Sequence, residues 1–249
     1  MGGWGSLTGT RLLGGQASSV SQRRLLAARV TGVVGLGAYN WWAAVPFVHG
    51  IVHSTDGFFS DLSANGEPHA VALQRLDLSA GAVLLVALLM RGRPASPGDR
   101  RVWSWLVAFA AVAAVGGMFP YACAAGLDPL CRHLERTFQL PVHHYVHMAA
   151  GVTEFFTATM AIAMARITDP EGTSPTGRVG HTLVPVLVVA YPLLAVAYLR
   201  ERWGAFVEPT FFLMFSTIIV VELFGPRPLS GEPVNDLALP QDQPRPAPG

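Results

Sequence analysis

Lysine is absent from the chain, and all seventeen of its basic residues are arginine. A lysine Schiff base with retinal or pyridoxal phosphate is therefore excluded, and so is a lysine-containing phosphate-binding loop. Charge of either sign is scarce, because only 13% of the residues are charged, against about 25% in a typical soluble protein. The formal net charge of +1 gives no electrostatic reason to expect a nucleic acid as a partner.

Hydrophobic residues, by contrast, make up 51% of the chain, which is the composition of a membrane protein. A helix of about 20 apolar residues crosses the hydrocarbon core of a bilayer. Six segments are long and apolar enough to do so, near residues 30–52, 70–90, 102–122, 144–165, 182–199 and 206–224. The sequence therefore predicts an all-α polytopic membrane protein with a bundle of six transmembrane helices.

The two ends of the chain differ from this hydrophobic middle. Residues 1–29 are rich in Gly and Ser, and we predict a cytoplasmic amino-terminal tail there. Residues 30–224 form the predicted six-helix domain. Residues 225–249 are polar and rich in Pro, which predicts a disordered cytoplasmic tail.

Arginine is distributed unevenly among the predicted connections, and short cytoplasmic loops of membrane proteins carry the positive bias. The predicted inner set is Arg11, Arg23, Arg24, Arg29, Arg91, Arg93, Arg100, Arg101, Arg166, Arg178, Arg227 and Arg245, and the outer set is Arg132, Arg136, Arg200 and Arg202. Both termini are therefore predicted to be cytoplasmic. Exclusive use of Arg, with abundant Ala, Gly and Pro, is typical of a GC-rich bacterial genome, which favours the bacterial inner membrane.

Cys123 and Cys131 are the two cysteines of the chain, and both fall in a loop that the arginine distribution places outside. An oxidising compartment permits a disulfide between them, although free thiols are the alternative. A thiolate metal site would need more nearby ligands than His133.

Ionisable side chains concentrate in the predicted outer half of the membrane domain and its loops. This distribution indicates a site that opens outward, the alternative being contacts with lipid headgroups and helix ends. The residues are His49, His53, Asp56, Asp61, His69, Arg75, Asp77, His143, His144, His147 and Glu208.

The fourth predicted span carries the most informative pattern. His143, His147 and Glu154 follow one stripe of a helix, and Gly151 leaves space between them. Glu154 lies about 16 Å below the outer end of the helix, near the bilayer centre. A carboxylate there must be protonated, paired or in a wet cavity, so a functional role competes with a structural hydrogen bond.

Asp77, His147 and Glu154 are the predicted catalytic residues, and Arg75, His143 and His69 are the predicted ligand-binding residues. Arg75 and Asp77 are two residues apart and point away from each other on a helix. His143 and His147 could hold a divalent metal that Asp77 or His69 completes, so a metal cofactor is one alternative.

Four stretches, FFSDLSANGEPHA, RLDLSAG, MFPYACAAGLDPLC and HHYVHMAAGVTEF, resemble the bacterial and archaeal membrane family catalogued as domain of unknown function nine hundred ninety-eight. The resemblance covers about residues 30–224 and implies a membrane architecture without an assigned activity. His143, His147, Asp77 and Ser79 are similar in type to the residues around zinc in membrane hydrolases such as alkaline ceramidases. The order and number of histidines depart from that pattern, so this likeness is a mechanistic analogy.

Three functions remain open at this point. The first is an enzyme or binding protein for a lipid or isoprenoid, with a polar pocket open to the outer leaflet and membrane lipids as partners. The second is a small proton-coupled transporter or channel subunit, which a homo-oligomer could form. The third is a membrane assembly factor without chemistry.

Overall fold

A computed structural model of the protein describes residues 10–47, 57–200 and 202–226, and His49, His53 and Asp56 lie outside these ranges. Over the described residues the chain contains helices and no strand. The α-helices are α1 (Thr10–Tyr39), α2 (Ala70–Arg91), α3 (Pro97–Met118), α4 (Pro129–Arg136), α5 (Val142–Thr168), α6 (Pro175–Arg200) and α7 (Gly204–Phe224). Two 3-10 helices, Trp41–Phe47 and Phe59–Ser63, lie between α1 and α2.

Five of the described helices, α2, α3, α5, α6 and α7, are long and apolar enough to cross a membrane. The prediction of an all-α polytopic membrane protein is therefore confirmed, and these five helices correspond to five of the six predicted spans. Their order along the bundle is sequential, with α2 packed against α1 and α3, α5 against α3 and α6, and α7 against α6.

The predicted span at 30–52 has different bounds in the structure. Helix α1 begins at Thr10, inside the predicted tail, and ends at Tyr39. The chain then continues as the 3-10 helix Trp41–Phe47, which contains Pro46. Because proline lacks an N–H group and disfavours a helical residue before it, the apolar composition continues there but the α-helix does not.

Two glycines allow α2 and α3 to pack at close range. A β-carbon on Gly81 would lie 2.2 Å from the backbone nitrogen of Ala114, and one on Gly117 would lie 2.3 Å from that of Leu78. Small residues at such crossings let helix backbones approach in a membrane. The Gly117 crossing also brings the backbone of Asp77 close to α3.

Three arginines, two of them on α1, donate hydrogen bonds to backbone carbonyl groups at the carboxyl ends of α2 and α7. The Nε of Arg24 donates to the carbonyl oxygen of Met90 at 2.8 Å. Arg29 donates to the carbonyl oxygen of Phe224, and Arg91 donates to that of Gly225. These bonds satisfy carbonyl groups that a helix leaves unpaired at its end, and they place a band of positive charge at one end of the bundle.

The centre of the bundle is apolar and rich in aromatic rings. Phe109, Phe211 and Phe215 are fully buried, and Phe155 packs edge to face on Phe215 with ring centroids 5.3 Å apart. Toward the arginine-rich end, the core continues with aliphatic side chains until Glu222. We call this region the apolar barrier and define it by Phe109, Phe155, Phe211, Phe215, Leu84, Leu88, Leu106, Ile162, Ile218 and Ile219.

Candidate functional site

A folded cap covers the end of the bundle opposite the arginines. It consists of the 3-10 helix Phe59–Ser63, the loop 119–128 and α4. The sulfur atoms of Cys123 and Cys131 lie 2.01 Å apart, which is the distance of a disulfide, as the sequence predicts. The eight-residue separation makes this a small closed loop at the mouth of the bundle.

Asp61 joins the two main pieces of the cap. One carboxylate oxygen accepts a hydrogen bond from the backbone N–H of Phe58, and the other accepts one from Gly126 at 3.1 Å. A β-carbon on Gly126 would lie 2.1 Å from this carboxylate, so a larger residue there would displace the Asp61 side chain. Burial raises the pKa of Asp61, and the hydrogen bonds from Gly126 and Phe58 oppose that rise.

His144 is the fully buried histidine of the site, and the sequence reasoning did not select it. Its Nδ1 accepts the N–H of Ala122 at 3.2 Å, so its Nε2 carries the proton and donates to Glu135 at 3.0 Å. Glu135 also accepts a hydrogen bond from the hydroxyl of Tyr198. This pair therefore ties α4 to α5 and α6.

A cavity of about 80 Å³ lies between the cap and the bundle. Ionisable and hydroxyl groups line it together with a few apolar side chains, and the residues include Asp61, Tyr121, Arg132, Glu135, Arg136 and Tyr198. Burial and the nearby Asp61 carboxyl raise the pKa of Tyr121, which keeps its hydroxyl protonated. The volume suits a few water molecules or a small ion and is far below that of a lipid.

Beneath the cap, three helices contribute buried or partly buried carboxyl groups, which we call the carboxyl cluster: Asp77, Glu154 and Glu208. All three lie near the hydroxyl group of Tyr39. The Nε1 of Trp41 donates to Asp77 at 2.6 Å. Glu208 is 4% exposed and accepts the backbone N–H of Phe59, which fastens α7 to the cap.

The carboxyl cluster has no cationic partner among the described residues. Asp77, Glu154 and Glu208 lie in no ion pair there, and Arg75 is exposed on the outer surface of α2. An ionised carboxyl group in a membrane is costly without a cation or water. The cluster is therefore suited to holding protons, because a protonated carboxyl is neutral.

The predicted catalytic residues lie in two separate places. Asp77 and Glu154 lie close enough to interact. His147 lies higher, where its Nδ1 contacts the carbonyl oxygen of Phe119 at 2.6 Å and its ring stacks on Tyr121. A carbonyl acceptor identifies Nδ1 as the protonated nitrogen, so His147 supports the cap from below.

The predicted ligand-binding residues do not converge on the carboxyl cluster. His143 is partly exposed on α5, one residue from the buried His144. His69 is exposed in a left-handed backbone conformation at the start of α2. Because adjacent residues of a helix face different directions, the stripe through His143 and His147 passes beside His144.

The predicted site residues do not lie in positions that could hold a divalent metal ion. Over the described chain, no three His, Cys, Asp or Glu side chains lie close enough to hold one ion. Both sulfurs are used in the disulfide pair, and the imidazole nitrogens of His144 face Ala122 and Glu135. A tetrahedral zinc site needs three or four such ligands.

A larger cavity, of about 430 Å³, lies at the opposite end of the bundle beside the turn between α5 and α6. Its carboxyl group Asp169 accepts hydrogen bonds from the backbone and side chains of Thr173 and Ser174. These bonds hold the pKa of Asp169 well below its usual range. Asp169 therefore stabilises the turn that leads into α6, and it does not belong to the carboxyl groups inside the membrane domain.

The helices, their hydropathy and the capped polar groups define a polytopic α-helical membrane protein. A family model described as protein of unknown function (DUF998) matches residues 23–224, and the chain belongs to this family. The match covers most of the chain and confirms the resemblance drawn from the four motifs. No curated protein and no solved structure matches the chain.

Proposed function

We propose that the protein is a proton-coupled transporter or channel subunit whose proton-binding groups are the carboxyl cluster. The observation that carries this proposal is the convergence of Asp77, Glu154 and Glu208 near Tyr39 with no described cation beside them. Intramembrane carboxyl groups that must gain or lose protons are typical of proton relays.

The surroundings of the cluster support the same function. Glu208, the member of the cluster that is bonded to the cap, lies near Asp61, and further ionisable groups such as Glu135 surround the outer cavity. The apolar barrier lies below it and separates it from Glu222. In the proposed function, protons reach the cluster from the cap side while the apolar barrier closes the other side, which coupled transport requires.

Proton flux into liposomes tests the proposal. Purified protein is reconstituted with a pH-sensitive dye inside, and a pH gradient is imposed. We expect flux above that of empty liposomes, and we expect Glu154→Gln and Asp77→Asn to reduce it at least tenfold, since each amide keeps the shape but cannot bind a proton. Glu171→Gln is the matched control, because Glu171 is exposed in the α5–α6 turn.

Two results would contradict the proposal. The first is a wild-type flux no greater than that of empty liposomes under gradients of either direction. The second is full flux in Glu154→Gln together with full flux in Asp77→Asn.

A lipid-acting enzyme or binding protein is the second candidate, and one observation favours it. Glu154 is partly exposed, and a β-carbon on Gly151, one turn above it, would meet no atom within 4 Å. A lipid headgroup could approach Glu154 along this open side of α5. Native mass spectrometry separates the candidates, since a defined copurifying lipid that Glu154→Gln abolishes would favour this function.

The proposed topology has six spans, with the carboxyl half of α1 as the first, both termini in the cytoplasm and the cap outside, in a bacterial inner membrane. Its support is the band of arginines at the carboxyl ends of α2 and α7. Cysteines introduced near Asp61 or Leu127, at the exposed positions Asn65 and Leu130, should react with an impermeant reagent in intact cells. A cysteine at Ala95 should not react, and its labelling would reverse the topology.

A further inference from the structure

The Tyr39 side chain lies beside the carboxyl cluster with a hydroxyl group that is buried and, within the described part of the chain, unpaired. It is 8% exposed, and its hydroxyl oxygen has no hydrogen-bond partner among the described residues. A buried hydroxyl without a partner costs free energy, so most are paired in proteins. The side chain that acts on it most strongly is Glu154.

Packing fixes where this hydroxyl lies. The Tyr39 ring contacts Phe109 of α3 edge to face at 5.5 Å and Phe212 of α7 at 5.3 Å. The ring therefore cannot turn away from the cluster without disturbing both helices. Its hydroxyl is therefore held near the Glu154 carboxyl group without forming a well-aligned hydrogen bond to it.

Other polar side chains of this region are already engaged. Asp77 on α2 is acidic and is already bonded to Trp41. Glu208 on α7 is acidic and bonded to Phe59 of the cap. On α6, the hydroxyl of Tyr191 is bonded to Thr159 at 2.5 Å. The Tyr39 hydroxyl, by contrast, has no other partner among the described residues and lies near Glu154.

We propose that Tyr39 is the positioning residue of the proton site, donating a hydrogen bond to the Glu154 carboxylate when that group releases its proton. This inference rests on the proposed function in one respect, namely that Glu154 exchanges protons. A protonated Glu154 needs no such donor, whereas the anion does, so the bond forms in the ionised state and loosens in the neutral one. Tyr39 thereby sets the pH at which Glu154 is loaded.

Infrared titration of the Glu154 carboxyl group tests this inference without measuring transport. The carbonyl-stretch band of the protonated group is assigned by its loss in Glu154→Gln, and its midpoint pH is measured in liposomes. We expect Tyr39→Phe to move the midpoint upward by about one pH unit, the effect of losing one hydrogen bond to an anion. Tyr191→Phe, which removes a buried hydroxyl bonded elsewhere, should leave it unchanged.

A second substitution keeps the test independent of folding. Incorporation of 3-fluorotyrosine at position 39 retains the ring and makes the hydroxyl a stronger donor, so the midpoint should move downward. A midpoint that neither change moves would overturn the inference even if proton flux is normal. Absence of flux in the wild type, together with the expected shifts, would overturn the proposed function and leave the Tyr39 assignment standing.

Discussion

The close crossing of α2 and α3 gives a prediction that reaches the candidate site directly. Replacing Gly117 by alanine puts a β-carbon 2.3 Å from the backbone nitrogen of Leu78 and 2.9 Å from the carbonyl carbon of Asp77. Ordinary contact begins at 3.4 Å, so the two backbones must separate by about 1 Å. No flexible side chain is available to move instead.

The expected change in the free energy of unfolding of Gly117→Ala is the difference between two opposing contributions. Overpacking costs about 1–3 kcal/mol, and a backbone clash belongs at the upper end. Alanine is favoured over glycine in a helix by about 1 kcal/mol, which offsets part of that cost. We expect a net loss of about 1–2 kcal/mol, which corresponds to a melting temperature lower by roughly 3–6 °C for a chain of this size.

The neighbouring glycine provides the control. A β-carbon on Gly116 would meet only the Ala150 side chain, at 3.5 Å, an ordinary contact. Gly116→Ala should therefore melt at or above the wild-type temperature in fluorescence-detected size-exclusion chromatography. Gly117→Ala should melt lower and should also reduce proton flux, because Asp77 shifts with Leu78. Equal melting temperatures for the two variants would refute the geometry of this crossing.

Three further predictions concern the cap and the polar turn at the other end. Intact-mass analysis after alkylation without reductant should find no reactive thiol at Cys123 or Cys131, and two alkylated cysteines in protein from its native membrane would contradict the disulfide. Because burial raises the pKa of Asp61, its carboxylate destabilises the cap at neutral pH, and that penalty is relieved as the pH falls through the raised value toward 3.8. The melting temperature of the wild type should therefore rise relative to Asp61→Asn between pH 7 and pH 4, and a constant difference would contradict this. Asp169→Ala should lower the melting temperature by removing the acceptor at the start of α6, whereas Glu171→Ala should not.

The spanning helices were predictable because each is encoded by one uninterrupted hydrophobic run. The predicted span 70–90 corresponds to Ala70–Arg91, and 206–224 corresponds to Gly204–Phe224. The predicted start of the third span, at 102, is too late. Ser96 caps α3 and Pro97 begins it, and this Ser-Pro pattern was visible in the sequence.

The cap was less predictable because long-range contacts build it. Asp128 and Pro129, inside the predicted outer loop, form a helix-start pattern, and α4 begins there. The choice among three neighbouring histidines could not be made from spacing. His144 is buried only because Ala122 and Glu135, far along the chain, provide partners for both of its nitrogens.

The carboxyl cluster was predictable in part. The position of Glu154 in the middle of an apolar helix indicated an intramembrane site, and Asp77 does lie near it. The burial of Tyr39 beside the cluster was not predictable, because tyrosine near a helix end is also typical of the membrane interface. Its position depends on ring packing between α3 and α7, which sequence spacing does not encode.

The arginine contacts at the carboxyl ends of the helices have a consequence for biogenesis. Arg24 can reach α2 as soon as the first hairpin has inserted, whereas the partners of Arg29 and Arg91 lie at the end of α7. Gly32 of α1 also packs against Leu223 of α7. The first helix can therefore complete its contacts only after the last one has left the ribosome, so a chain truncated before α7 would display unsatisfied arginines to the quality-control proteases of the membrane.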